Sequence, residues 1–127
     1  MSERTYPKQG QIIYINFSPA AGHEIVKRRP AVVVSNDILM QTSHFVWIVP
    51  ISHGSYDGPE YPLHVALDER TKISGTVYTE QLKSFDFIAR KWQYIEDMPH
   101  NILTQVIQKL QLAVTLPLEH DLMNSEK

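Results

Sequence analysis

The chain has 127 residues, 43% of them hydrophobic and 20% charged, with a formal net charge of -2. That describes one globular domain with a modest core; it excludes wholesale disorder, and it excludes a whole-body basic field, so any nucleic-acid contact must come from a local patch. The chain has no cysteine, which excludes disulfides, thiolate metal sites and a cysteine nucleophile, and fits a cytoplasmic setting.

In chain order, Lys8-Gln9-Gly10 reads as a turn and Gln11 to Phe17 as a strand. Its alternation puts Ile13, Ile15 and Phe17 on one face, with Ile12, Tyr14 and Asn16 on the other. Ser18-Pro19-Ala20-Ala21-Gly22 is rich in breakers and begins a loop expected to last to Arg29. The cations Lys27, Arg28 and Arg29 then stand directly before Pro30 and a short, continuous apolar run, Ala31 to Ser35. Such a run predicts a strand buried on both faces, with proline favouring an extended entry. On this reading Arg29 ends a charged loop and is fixed by a rigid strand, which suits a guanidinium to gripping phosphate or carboxylate through paired donors. A run of charge taken alone describes only a solvated loop.

Asn36 or Asp37 predicts the cap of a helical turn ending near Gln41. Phe45 to Val49 reads as a deeply buried third strand stopped by Pro50, and Ser52 to Pro59 as a mobile loop. Further short strands are expected over Leu63 to Leu67, Gly75 to Tyr78 and Lys83 to Ile88, with an edge segment from Arg90 to Ile95. From Pro99 onward Ile102, Leu103, Val106, Ile107, Leu110, Ala113 and Val114 recur at helical spacing, with Asp97 as expected N-cap and Pro117 as the end. Residues 1–117 then form a single domain and 118–127 a flexible C-terminal tail. No apolar signal core opens the chain and no run approaches a membrane span. The fold class is mainly β with a C-terminal α-helix, a small barrel or curled sheet whose helix also offers an apolar face for a dimer.

Gly10 to Phe17, Gly22-His23-Glu24 and Arg29 to Ser35 resemble, in order, the opening blocks of the MazF/PemK toxins. Val49-Pro50-Ile51-Ser52, Pro62 to Val65, Ser74 to Val77 and Glu80 to Asp86 continue the resemblance, which covers roughly Lys8 to Leu116. These toxins are ribosome-independent mRNA endoribonucleases of type II toxin–antitoxin systems. The resemblance implies an SH3-like barrel, a homodimer, metal-independent cleavage of single-stranded RNA without a cofactor, and neutralisation by a cognate antitoxin. By the same resemblance Arg29 stands at the family's catalytic arginine, Ser52 at its catalytic threonine, and Glu24 at the MazF branch's glutamate near the scissile phosphate. The PemK branch has an arginine where this chain has Tyr78 and an aspartate where it has Glu80, so the expected arrangement is the MazF-like one.

The side chains suit that chemistry. Cleaving RNA without a metal requires a base for the ribose 2′-hydroxyl, stabilisation of charge on phosphorus and a proton for the leaving 5′-oxygen. Glu24 can serve as base, Arg29 as clamp and Ser52 as hydroxyl donor. Lys27, Arg28, His23, His53 and Lys83 are the expected RNA contacts. The six histidines show no pair at zinc spacing, so no metal site is expected. Tyr78 reads as a half-buried strand residue, Glu80 as part of a solvated turn, and Phe45, Trp47 and Trp92 as core. Two other classes fit the same architecture: a toxin acting on DNA gyrase by protein contact, and a non-catalytic RNA- or peptide-binding barrel.

Overall fold

Period-two alternation of apolar residues in the first half of the chain builds an antiparallel sheet, and the computed structural model describes it over residues 5–18, 28–53 and 61–117. Its strands are β1 (Gln11–Asn16), β2 (Arg28–Val33), β3 (Phe45–Ser52), β4 (His64–Ala66), β5 (Thr76–Tyr78), β6 (Lys83–Asp86) and β7 (Trp92–Asp97). Two helices, α1 (Asp37–Thr42) and α2 (His100–Val114), and a 3-10 turn over Thr79–Gln81 complete the described elements. The strand order is β4-β5-β3-β2-β1-β7, with β6 also paired to β3. The sheet curls: Phe17, just past β1, meets Phe85 of β6 edge-to-face at 5.3 Å although two strands separate them in the ladder.

Both faces of the central strands are apolar, and each buries its own core. Ile12, Val32 and Val49 pack with Ile102 and Val106 of α2. Ile13, Ile15, Ala31, Val33, Val46 and Ile48 pack on the other side with Met40 of α1, Phe85 and Phe87. The double burial read from the run after Pro30 is therefore present. Asn36 caps α1, its side chain accepting from the Ile38 amide at 3.0 Å. Gly10, at φ +87°, ties the start of β1 to two other elements. Its amide donates to the Val33 carbonyl and its own carbonyl accepts from Met98 just before α2, each at 2.8 Å. A Cβ at Gly10 would lie 3.0 Å from Leu103 of that helix.

Several boundaries differ from the sequence expectation. Strand β2 starts at Arg28, because Arg28 and Arg29 pair with Asn16 and Ile15 and prolong the β1 ladder. Pro50 does not stop β3. It falls between the stretch paired with β6 and the stretch paired with β5, an irregular point where proline is tolerated. Nor is β3 buried throughout: Phe45 and Trp47 are 44% and 46% exposed, because α2 covers only the far part of that face. Asp97 is the last residue of β7, and Pro99 takes the N-cap position of α2. Strands β4, β5 and β6 are shorter than expected, and β7 lies two residues later. The expected loop over Ser52 to Pro59 and the C-terminal tail fall largely outside the described residues.

Candidate active site at one end of the sheet

Antiparallel pairing sets the end of each strand beside the start of the next. The end of β1, the start of β2 and the end of β3 therefore share one end of the sheet, while β6 starts opposite Ile48, four residues short of Ser52. The β2–β3 ladder pairs Ala31 with Pro50; two residues further on each strand, the same register sets Arg29 level with Ser52. Alternation gives Arg29 the face of Ala31 and Val33, and Ser52 the face of Val46 and Ile48, which belong to one core. Lys83, paired with Ile48, shares the face of Phe85 in that same core. Arg29 is exposed while its pair Ile15 is fully buried, so the guanidinium stands at the rim of a rigid ladder.

Ser52 is held by β5. It pairs with Thr76, and the preceding Gly75 has φ +125°, a conformation L side chains rarely adopt. A Cβ at Gly75 would stand 2.8 Å from the Ser52 carbonyl oxygen. The Ser52 hydroxyl donates to the His53 carbonyl at 3.2 Å, and the His53 ring is bonded through Nε2 to Ser74 Oγ at 3.1 Å. The residues before β5 thus brace both candidate residues at the end of β3.

Arg28 is turned the other way. It shares the face of Val32, lies 5.0 Å over the Tyr14 ring and donates to Gln93 Oε1 on β7. Glu24, His23 and Lys27 lie in segment 19–27, outside the described residues. That segment leaves from Ser18 and returns at Arg28, both at this end of the sheet. Its departure point is anchored by Arg90, whose Nη1 donates to the Asn16 and Ser18 carbonyls at 2.8 and 2.7 Å while its guanidinium lies over Phe85 at 3.9 Å. No local pattern in the chain points to this role for Arg90, since only the curl of the sheet brings residues 72 and 74 positions apart together.

Tyr78 is buried at 4% exposure, deeper than expected, and Glu80 is not simply solvated. The Tyr78 ring packs against His64 at 4.3 Å with the planes tilted by 35°, His64 stacks on Tyr61 at 4.9 Å, and Glu80 Oε2 meets His64 Nε2 at 2.8 Å. Arg29 and Ser52 thus set a guanidinium and a hydroxyl on one face at one end of the sheet, with Lys83 on the same face opposite the middle of β3.

A family model described as PemK-like, MazF-like toxin of type II toxin–antitoxin system matches residues 8–114. The chain is 29% identical over 119 residues to the endoribonuclease toxin ChpB of Escherichia coli K12, covering 90% of this chain and 99% of ChpB. The crystal structure of MazF from Deinococcus radiodurans is similar at a TM-score of 0.78 and 27% identity, over 89% of this chain and all of that one. A MazE–MazF crystal structure from the same organism is similar at a TM-score of 0.73 and 26% identity, over 87% of this chain and 98% of the matched one.

Proposed function

We propose that this chain, which belongs to the PemK-like, MazF-like toxins of type II toxin–antitoxin systems, is a ribosome-independent, sequence-specific endoribonuclease that cleaves single-stranded mRNA. The observation that carries the reading is the register setting Arg29 level with Ser52 on one face, at the end of the sheet where segment 19–27 departs. Glu24 takes the proton from the ribose 2′-hydroxyl, the resulting 2′-oxygen attacks phosphorus, and the 5′-oxygen leaves with a proton. Arg29 grips the phosphoryl oxygens with paired donors and stabilises the charge that develops on them. Ser52 gives up its local bond to the His53 carbonyl and donates to the same phosphate. Lys83 extends the positive surface, with Lys27, His23 and His53 as further RNA contacts. Arg28, on the opposite face, contributes only at the periphery.

The reaction needs no metal on this reading, because a base, a clamp and a substrate-borne nucleophile suffice. Its products are a 2′,3′-cyclic phosphate, or the 3′-phosphate from its hydrolysis, and a 5′-hydroxyl. The test is cleavage of a short single-stranded RNA in excess EDTA with analysis of both new ends. One 2′-deoxy substitution just 5′ of the scissile phosphate stops the reaction if the mechanism is right. A 5′-phosphate product, or activity restored only by a divalent ion, overturns it.

The working form is a homodimer that acts in the cytoplasm and is neutralised by a cognate antitoxin. Support for self-association comes from the apolar surface around the end of α2. Trp47, Leu82, Ile107, Leu110 and Val114 line a groove of about 400 Å³, and Leu112, Val114 and Leu116 are 74%, 79% and 85% exposed. A single soluble domain rarely leaves so much apolar surface contiguous. The similarity to a MazF crystallised with MazE supports the antitoxin as partner. No described helix is long and apolar enough to cross a membrane. Sedimentation analysis tests the dimer, and competition between antitoxin and RNA tests whether the two share a surface.

A further inference from the structure

We infer that Tyr61, backed by His64 and Tyr78, is a stacking platform for an unpaired base of the RNA; this rests on the ribonuclease reading and adds a base subsite to it. His64 pairs with Tyr78 across β4 and β5, and Thr76, two residues from Tyr78, pairs with Ser52. Paired residues share a face, so the aromatic row lies on the same face as Ser52. Two residues along β5 span about 6.6 Å and one strand across adds about 4.8 Å, close enough for one short single strand to reach both places.

The row is built to be rigid. The His64 side chain is 3% exposed, lies 15° from parallel with Tyr61, and is held at its ring edge by Glu80. Tyr61 is fixed from the backbone as well: its carbonyl accepts from the His64 amide at 3.0 Å, and the intervening Pro62 carbonyl accepts from Lys109 of α2. Yet Tyr61 itself is 40% exposed. A surface tyrosine already ordered in this way loses little side-chain freedom when a second flat ring is laid on it. Glu80, 41% exposed, places a carboxylate beside the row and so repels phosphate there. The charge pattern therefore separates two uses of one face: phosphate at Arg29, base at Tyr61. Stacking on an aromatic side chain accepts any base, so the platform sets grip and register more than sequence.

The experiment uses the whole protein and a single-stranded RNA made uncleavable by one 2′-deoxy substitution, with affinity measured for wild type, Tyr61→Ala and Tyr61→Phe. Tyr61→Ala is expected to lose about 5- to 150-fold in affinity, the range of one base–aromatic stack, and Tyr61→Phe to stay near wild type. Replacing single nucleotides by abasic ones should find one position whose removal costs wild type a similar factor and costs Tyr61→Ala nothing further. That non-additivity is the signature of contact, and the abasic series on wild type keeps the inference testable even if Tyr61→Ala folds poorly. Additive losses, or no loss at any position, overturn the platform. So does a Tyr61→Ala protein that binds RNA normally and fails only to bind antitoxin. Wild type that neither binds nor cleaves RNA instead defeats the ribonuclease reading itself.

Discussion

Arg28 and Arg29 are neighbours in sequence and opposites in space. Both belong to β2 and both pair with β1, yet alternation sends them to different faces of the sheet. Arg28 lies over Tyr14 and donates to Gln93, spending its charge on the β1–β7 side. Arg29 stands at the rim of the other face, level with Ser52. A strand turns a run of like charges into two cations on opposite faces, which a flexible loop would not do.

The sharpest way to break the contrast is to remove each arginine in turn. Arg29→Ala should lower the cleavage rate about 100- to 1000-fold, the typical cost of one lost electrostatic contact to a developing anion. Its far-UV circular dichroism should be unchanged, since the side chain is exposed. A rate near wild type would reverse the assignment. Glu24→Gln should slow the reaction with little change in RNA affinity, because the amide keeps the shape and takes no proton. Equal losses in rate and affinity would make Glu24 a binding residue.

Gly75→Ala tests how the far side of the site is held. The new Cβ would stand 2.8 Å from the Ser52 carbonyl at a φ of +125°, a strain of about 1–3 kcal/mol. The expected result is a lower melting temperature together with slower cleavage, read by thermal unfolding and a single-turnover assay. Unchanged values of both would show that β5 does not set the position of Ser52. Arg28→Ala should do less: a few-fold weaker RNA binding at most, with a slightly shallower salt dependence and unaltered single-turnover rate. A loss as large as that of Arg29→Ala would abolish the distinction between the two faces.

The smallest effect belongs to Asp86, which lies at the far end of β6. Hydrogen bonds from the Ala89 and Ile88 amides hold its carboxyl below the usual 3.8, with the Ala89 bond the larger cause. A lowered folded-state value means that this stabilisation is present above the unfolded value and fades as pH falls through the folded one. Asp86→Asn should therefore be slightly less stable than wild type near neutrality. The two should converge in acid below pH 3.8, as thermal unfolding across pH would show, with no change in RNA cleavage at pH 7.

Much of this organisation was legible in the chain. The doubly buried strand after Pro30, the N-cap Asn36 and the apolar stripe of α2 each follow from periodicity or capping chemistry, which are local properties. The order of short blocks from Gly10 to Asp86 was enough to carry the family resemblance. What failed was equally specific. The cations read as loop because charge and proline are loop signals, whereas the β1 ladder recruits Arg28 and Arg29 into a strand. Asp97 looked like a cap because its side chain can be one, but β1 claims it by pairing it with Gln11.

The sequence by itself determined which segments can be strands and which helix can cover them, because each is settled within a few neighbouring residues. Only the tertiary structure decided that Arg29 and Arg28 part company, that Ser52 stands level with Arg29, and that Tyr61, His64 and Tyr78 form one row. Those facts depend on register and curl, which arise from pairing across distant segments. One residue of slip would move every side chain to the opposite face.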